Sequence, residues 1–588
     1  MAIKDFLKNK KFIIILSAIL ALLIAISGTL CFFIFRNGGS ETTGKKKNLI
    51  ILTEEEVDEA DDLIEDIDLD IDDIGFIDES DFDDFVSEQI LTLKNANPIN
   101  KKFMGFGAIY YPWIYWKDDA GRNYTDEQRQ IELDRLVDSG ITWIRTMIYA
   151  RPEWYNKNEG TWNYSGEHYN GLVKFLQEID KRGIDVLINY EWGGGIQPDS
   201  NGNMTIFNDS TLNKMGTMDD RIEMYGDFCT TFTQKLKEDG INCVKYITFF
   251  SEPANSKELG GQYGTEQFET VFLAKIVPAF TKIVKTVHEH FTTAGIRRDY
   301  KFVGNNQSVY YYINLYTWEQ LKPLYDSVKD YIDEFDYHFY NRMSNPKGAT
   351  YDDFAIIPET YASDVQKHLG ISANDTWIDE FNVLHNGSEG DFKSKTDRYG
   401  GIYSLKDEAY TATQMANTLV AFMNNGYKTA GVWTFVNTLW PNSSSTGGEF
   451  NAGVMLDGLM PNLMESQVPY NAYYTYSMIS RYCNNVKSVY ACDMEEADGL
   501  AASCVYGKDG SITIFVVNSN LFDVEYKMNF ENKLANSTLY RHLYNPDSFE
   551  SDTSAKPIGV DRVLINVKGG FADKIPAGAV AVYTTSKK

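Results

Sequence analysis

Eight short apolar runs, each followed by a longer amphipathic run, fill the chain from about Phe103 to Asn484. Runs of the first kind have the length of buried strands, and runs of the second kind are typical of helices. Strands that alternate with helices predict a parallel sheet with helical crossovers. Eight such units in roughly 380 residues fit a (β/α)8 barrel. A doubly wound open sheet is the rival, but the glycines at 105 and 107 lack the rest of a phosphate-binding fingerprint.

The predicted barrel, residues 95–484, is followed by a region of a different character. The eight predicted strands lie in KKFMGFGAIYY, ITWIRTMIY, IDVLINYEW, VKYITFFSEP, YKFVGNNQ, EFDYHFY, DTWIDEFNVL and KTAGVWTFV. From residue 485 to residue 588, apolar runs continue with turns between them but without helical runs. This pattern predicts a small C-terminal β-sandwich.

The N-terminal region predicts a membrane anchor. Phe12 to Phe35 is a run of 24 residues without a charge, which as a helix would span about 36 Å. Four lysines in residues 1–11 favour a cytoplasmic basic tail, although Arg36 and the lysines at 45–47 leave the charge bias alone indecisive. The barrel is expected outside the cell, in a single-pass cell-membrane protein. A cleaved signal peptide is the alternative, and the protein would then be secreted. Residues 36–94 are predicted to be a polar and acidic linker that extends by self-repulsion.

Charge and cysteine content exclude several kinds of partner. The net charge of −28, most of it from 18 acidic residues between Glu54 and Asp84, argues against nucleic acid. The six cysteines show no CxxC spacing, which predicts structural thiols rather than a zinc or redox site, although a Cys229–Cys243 bridge stays open. No metal and no cofactor is expected. The sequence leaves the oligomeric state undetermined.

Two glutamates are predicted at the ends of opposite strands. Pro253 cannot donate to a strand ladder, so the fourth strand stops and Glu252 lies at the carboxyl rim, where barrels place functional groups. Glu380 ends the seventh strand, with Ile378 on its face and Asp379 on the opposite face. Two carboxyls about 5 Å apart suit a double displacement at a sugar carbon, with Glu252 as acid/base and Glu380 as nucleophile.

Other strand-end residues suit the binding of a carbohydrate substrate. Arg145 is predicted to hold the nucleophile ionised, Tyr340 to donate to Glu380, and His338 to orient substrate or acid. Trp433 is predicted to form an aromatic floor for a sugar ring. Further candidates for sugar contacts at strand ends are Asn189, Trp192, Ser251 and Asn305. Glu191 is an extra carboxylate that could compete for the catalytic role.

These motifs resemble the clan A glycoside hydrolases. Their acid/base usually ends strand four as Asn-Glu-Pro and their nucleophile ends strand seven, and here SEP and WIDEFN stand at those places. WIDEFN is similar to the motifs of families thirty-nine and fifty-one, and the sandwich is similar to that of families thirty and thirty-nine. The resemblance covers roughly residues 100–588 and implies a retaining O-glycosidase. One departure is Ser251, which stands where the clan has an asparagine that contacts the sugar 2-hydroxyl.

Three hypotheses remain open at this point. The first is a membrane-anchored retaining glycoside hydrolase acting on extracellular poly- or oligosaccharide. A transglycosidase would use the same covalent intermediate and pass it to a sugar. A glycan-binding envelope protein without catalysis is the third, and the departure at Ser251 motivates it.

Overall fold

The computed structural model describes the barrel strands, the helices around them and the sandwich. The described residues are 87, 89–115, 124–191, 217–253, 268–310, 317–343, 351–385, 409–439, 458–461, 463, 466–535 and 537–586, with six short strand segments elsewhere. Those segments are Gly75–Ile77, Gln197–Pro198, Met204–Thr205, Lys395–Thr396, Ile402–Tyr403 and Val454–Met455. The predicted anchor, most of the acidic linker and Trp192 lie outside these ranges. Among the helices that are described, none is both long enough and apolar enough to cross a bilayer.

Eight parallel strands form a closed barrel. They are β1 (Phe106–Ile109), β2 (Trp143–Tyr149), β3 (Asp185–Glu191), β4 (Val244–Phe249), β5 in two pieces (Lys301–Phe302 and Gln307–Tyr310), β6 (Phe335–Met343), β7 (Thr376–His385) and β8 (Thr429–Val432). The first piece of β5 pairs with β4 and the second with β6. Because β8 pairs with β1 in parallel, the sheet closes on itself. The predicted barrel is thereby confirmed over the open sheet.

A helix follows each strand and covers the outside of the barrel. The helices are α1 (Asp126–Asp138), α2 (Glu167–Lys181), α3 (Met218–Glu238), α4 (Val277–Thr293), α5 (Trp318–Val328), α6 (Tyr351–Leu369), α7 (Ala409–Asn424) and α8 (Asn471–Ser480). A π-helical segment, Phe268–Ile276, leads into α4. Short 3-10 segments are Pro112–Tyr115, Pro152–Trp154, Arg297–Asp299 and Ala373–Asp375. Threonines 125, 217 and 317 begin α1, α3 and α5 with capping boxes, which satisfy backbone N–H groups in the first turn.

The bottom of the barrel is filled by large side chains. Trp143, Leu187, Val303 and Trp377 form a buried cluster inside the strands. The tryptophan rings lie 5.2 Å apart between centroids. Gly107 in β1 leaves room for this cluster, since a Cβ there would lie 2.2 Å from the Trp143 ring. The second glycine of the GFG stretch is therefore explained by the packing of the Trp143 ring against it.

We expect Gly107→Ala to destabilise the barrel by about 1–3 kcal/mol, because the added methyl overpacks the Trp143 layer. Chemical unfolding measures the loss. Gly559→Ala is the matched control, since a Cβ at Gly559 meets no atom within 4 Å. Equal stability of the two variants would contradict this packing role.

The C-terminal region is a β-sandwich, as predicted, but it also includes two strands from before the barrel. Its strands after the barrel are Val486–Glu496, Leu500–Gly507, Ile512–Asn518, Val524–Phe530, Ser537–Tyr544, Val560–Val567, Gly570–Ile575 and Val580–Thr584. Ile90–Leu93 inserts between Val486–Glu496 and Val524–Phe530, and Gly75–Ile77 pairs with Val560–Val567. Both segments fall within the predicted linker 36–94. Leu91 and Leu93 are fully buried in the sandwich core, so they belong to this domain.

Helices α7 and α8 lie between the barrel and the sandwich. Asn417 Nδ2 donates to Ser519 Oγ at 2.7 Å, and Asn424 Nδ2 donates to the Ala502 carbonyl at 2.9 Å. Tyr482, just after α8, hydrogen-bonds His542 at 2.8 Å. This cover explains why residues 411–423 are all buried. The five cysteines described in the structure are free and buried, so Cys229 and Cys243 are not bridged.

Candidate active site

Glu252 and Glu380 meet at the carboxyl end of the barrel. A carboxylate oxygen of each and a ring nitrogen of His338 all lie within 4.8 Å of one another. The Glu380 side chain is almost fully buried, whereas the Glu252 side chain is 23% exposed. Although 128 positions separate them in the chain, the two glutamates therefore face one cleft.

A tight turn after β4 aims Glu252. The strand ends at Phe249, and Phe250 and Glu252 both have left-handed backbones, with φ of 47° and 54°. The Phe250 ring packs outward against Tyr225 of α3, 4.9 Å between centroids. The Glu252 N–H donates to the Asn306 carbonyl at 2.8 Å. Strict alternation along the strand would place Phe250 on the inward face with Glu252. The structure differs because the strand conformation ends at Phe249.

A β-bulge in β7 turns Glu380 into the barrel. The pairing of β7 with β8 shifts register between Ile378 and Phe381, so two consecutive residues point the same way. Trp377 lies in the inner cluster and Ile378 in the outer core. Asp379 forms an ion pair with Arg145 at 3.2 Å. The predictions that Ile378 shares the face of Glu380 and that Asp379 points away from it were therefore wrong.

Arg145 is the central cation beneath the cleft. It is fully buried, and its Nη1 donates to Glu380 Oε2 at 2.8 Å. Its Nη2 donates to Asn189 Oδ1 at 3.0 Å and to Asn306 Oδ1 at 3.1 Å, and it lies 3.4 Å from Ser251 Oγ. A guanidinium in this place favours the ionised form of Glu380.

The surroundings of His338 favour protons on both of its ring nitrogens. Asn306 Nδ2 donates to the Phe250 carbonyl at 2.7 Å, so Asn306 Oδ1 is an acceptor and His338 Nε2, 2.8 Å away, must donate to it. His338 Nδ1 lies 2.9 Å from Glu252 Oε1 and 3.5 Å from Glu380 Oε1. Burial lowers the pKa of His338, but the carboxylates of Glu380 and Asp379 outweigh burial and raise that pKa to about 9.

This raised pKa predicts a pH-dependent stability. Because the folded pKa of about 9 exceeds the unfolded value of 6.5, the contribution of His338 is full below pH 6.5 and is lost as pH rises through 9. The loss is on the order of 3 kcal/mol for the fully buried ring. We expect His338→Gln to lack this component of the pH dependence in denaturant titrations between pH 6 and 10. His368→Gln, at the end of α6, is the control, and identical profiles for wild type and His338→Gln would refute the assignment.

Several groups around Glu380 oppose the effect that burial has on its pKa. Burial is the main reason that its pKa is raised, and the Glu252 carboxylate adds to this, while His338 and Arg145 lower it. The Tyr340 hydroxyl donates to Glu380 Oε1, as predicted from their placement on neighbouring strands. Glu380 is thus a buried carboxylate that two cations and a phenol stabilise in its ionised form.

The structure brings some of the remaining predicted site residues to the cleft and leaves another out of its hydrogen-bond network. Asn189 and Ser251 contact Arg145, and Trp433 lies at the mouth with Ile109, Tyr111 and Met147. The side-chain amide of Asn305, predicted to contact sugar, is buried and finds no hydrogen-bond partner in the described ranges. Its neighbour Asn306 joins the network in its place, because a left-handed φ of 50° turns that side chain toward Arg145 and His338.

A cation does not suit the group formed by Glu252, His338 and Glu380. Their ligand atoms are close enough to share one ion. However, Arg145 already donates to Glu380, and the protonated Nδ1 of His338 faces both carboxylates. A further positive charge would meet repulsion from both cations in a buried setting. The arrangement instead suits proton transfer and attack by a carboxylate.

No protein-family model matches the sequence, and no curated protein sequence matches it. The catalytic domain of GH30 xylanase C from Talaromyces cellulolyticus is similar in structure, with 12% identity and a TM-score of 0.53 over 85% of this chain and 100% of that chain. A glucosidase from Croceicoccus marinus has 11% identity and a TM-score of 0.53 over 85% and 99%. An α-L-arabinofuranosidase from Thermotoga maritima has 15% identity and a TM-score of 0.52 over 84% and 99%. The predicted likeness to clan A glycoside hydrolases is therefore confirmed for the fold of this chain.

Proposed function

We propose that this protein is a retaining glycoside hydrolase, with Glu380 as nucleophile and Glu252 as acid/base. The observation that carries the proposal is the spacing of their carboxylate oxygens, within 4.8 Å. Retaining enzymes hold their carboxyls about 5–5.5 Å apart, whereas inverting enzymes need about 6.5 Å or more to admit a water. The fold that this chain shares with xylanases, glucosidases and arabinofuranosidases supports the same conclusion.

In the first step, a carboxylate oxygen of Glu380 attacks the anomeric carbon of the sugar. The bond from that carbon to the leaving oxygen breaks, and Glu252 gives its proton to that oxygen. A covalent glycosyl ester on Glu380 results, together with a released alcohol. Arg145 and Tyr340 bind the Glu380 carboxylate and keep its lone pairs aimed into the cleft.

In the second step, Glu252, now ionised, takes a proton from a water molecule. The water oxygen bonds to the anomeric carbon, and the ester bond to Glu380 breaks, which restores both carboxyl groups to their initial states. His338 lies between the two glutamates, with Nδ1 2.9 Å from Glu252 Oε1. This imidazolium stabilises whichever glutamate is ionised in each step.

The substrate that we propose is an extracellular poly- or oligosaccharide. The mouth cluster of Tyr111, Met147 and Trp433 offers an apolar wall, on which a sugar ring can lie. The predicted anchor at residues 12–35 would hold the domain at the outer surface of the cell membrane. Protease treatment of intact cells tests this placement, since an extracellular domain is cleaved and a cytoplasmic one is protected.

A hydrolysis screen with the full chain tests the function. We expect turnover of at least one 4-nitrophenyl glycoside among those of D-glucose, D-xylose, D-galactose and L-arabinofuranose, or of an oligosaccharide built from them. Mass spectrometry of the products separates transfer to water from transfer to a second sugar. Binding of oligosaccharides without any turnover would instead favour a glycan-binding protein.

A further inference from the structure

Glu191 is a buried carboxylate at the mouth that the two-step reaction leaves without a role. It ends β3, two residues after Asn189, so both side chains face the barrel interior. Its register partner in β2 is Tyr149. Only 6% of its surface is exposed, and burial is the main cause that raises its pKa to about 7. Burial of a carboxylate costs free energy unless hydrogen bonds compensate for it, so the contacts of both Glu191 oxygens indicate what this residue does.

The first oxygen of Glu191 holds the turn that carries Glu252. Oε1 accepts from the Ser251 N–H at 2.6 Å and from Asn189 Nδ2 at 2.5 Å. Ser251 lies between two left-handed residues, Phe250 and Glu252. Such a conformation persists only where neighbouring groups fix it, and a short hydrogen bond to a carboxylate does so.

The second oxygen of Glu191 is available to a ligand. Oε2 accepts no hydrogen bond from the part of the chain that the structure describes, and it is not among the orphaned atoms that are sealed from solvent. Meanwhile the Ser251 hydroxyl lies toward Arg145, at 3.4 Å from Nη2. Glu191 therefore presents a carboxylate oxygen beside the residue that replaces the usual asparagine.

We propose that Glu191 is a third functional carboxylate of this cleft. One oxygen positions the Glu252 turn, and the other accepts a hydrogen bond from a hydroxyl of the sugar whose bond is cleaved. This inference rests on the proposed hydrolase function. It makes Glu191 a positioning and specificity-determining residue, distinct from the nucleophile and the acid/base.

The test couples substitutions at Glu191 with substrates that lack single hydroxyls. Monodeoxy versions of the best 4-nitrophenyl glycoside are compared in wild type, Glu191→Gln and Glu191→Ala. A hydrogen bond to a charged group predicts that one deoxy position lowers kcat/KM of the wild type by about 10- to 100-fold. We expect this penalty to shrink in Glu191→Gln and to vanish in Glu191→Ala. An unchanged penalty in both variants would overturn the sugar contact.

The positioning role has its own readout in the leaving group. If Glu191 aims Glu252, Glu191→Ala loses more activity on 4-nitrophenyl than on 2,4-dinitrophenyl glycosides, because the better leaving group needs less protonation. Equal losses on both would overturn this role. Glu132→Gln, a buried carboxylate on α1 that accepts from the Tyr110 hydroxyl at 2.6 Å, is the control for removing a buried charge outside the cleft. Thermal unfolding checks that each variant folds, and Glu191→Gln keeps the test decisive if alanine does not.

Two failures are distinguishable in this design. If the wild type hydrolyses no glycoside or oligosaccharide, the hydrolase proposal fails and the Glu191 inference falls with it. If the wild type is active and Glu380→Ala is not, while the Glu191 variants keep every deoxy penalty and show no leaving-group effect, only the Glu191 inference is overturned.

Discussion

Glu380→Ala is expected to lower kcat by at least about 10⁴-fold, because no other group replaces an attacking carboxylate. The neighbouring Asp379 cannot substitute, since it pairs with Arg145 beneath the cleft. The measurement is initial-rate hydrolysis of the best aryl glycoside, with Glu132→Gln as the matched control for loss of a buried carboxylate. Turnover at the wild-type rate in Glu380→Ala would remove this residue from the mechanism.

Addition of azide to Glu380→Ala tests whether Glu380 is the nucleophile. In the cavity left by the alanine, azide can attack the anomeric carbon directly from the side that Glu380 occupied. The product is a glycosyl azide with the anomeric configuration opposite to that of the substrate. Rescue with this configuration assigns the nucleophile, whereas an azide product of retained configuration would point to Glu380 as the acid/base.

Glu252→Ala is expected to give the second-largest effect, and its size depends on the leaving group. General acid–base catalysis contributes about 10²–10⁴-fold, and it matters most when the leaving oxygen is basic. We therefore expect a loss in that range for unactivated oligosaccharides. For 2,4-dinitrophenyl glycosides the first step stays fast, and the glycosyl ester on Glu380 accumulates because no base activates water.

The controls for Glu252 follow from the same chemistry. Azide needs no base, so it should react with the accumulated ester and give a glycosyl azide of retained configuration. The apparent KM for the activated substrate should fall, since the second step becomes limiting. A uniform loss across all leaving groups, with no effect of azide, would show that Glu252 only binds substrate.

The sequence predicted the barrel well because its signals are local. The apolar period of each strand or helix is visible within a dozen residues. Strands β1 to β4 and β8 fall within the predicted runs, whereas β5, β6 and β7 overlap theirs and extend one to three residues further. The strand Ile90–Leu93 carries no such signal. It pairs with strands roughly 400 residues later, and its neighbours in the chain are polar and acidic. Pairing at that distance depends on the folded sandwich and was therefore missed.

The structure places Glu252 and Glu380 at the strand ends that the sequence predicted, although strict alternation failed around both residues. Glu252 points into the cleft because the chain turns left-handed after Phe249, and Glu380 because β7 carries a bulge. Period-two alternation contains neither event. Because alternation does not predict left-handed residues, the sequence indicated Asn305 as a site residue, whereas the structure places Asn306 there. Of the two, Asn306 has the left-handed backbone that asparagine tolerates better than most residues, and an Asn-Asn pair at a strand break is a signal that could have suggested it.

Proton NMR of the first-formed sugar tests most directly whether Glu252 and Glu380 act as a pair. When the full chain hydrolyses its best aryl glycoside, the spectrum shows which anomer appears before mutarotation mixes the two. Carboxylate oxygens within 4.8 Å predict that the product keeps the configuration of the substrate. Initial appearance of the opposite anomer would mean a single displacement by water, and the two-carboxylate mechanism described for this cleft would be wrong.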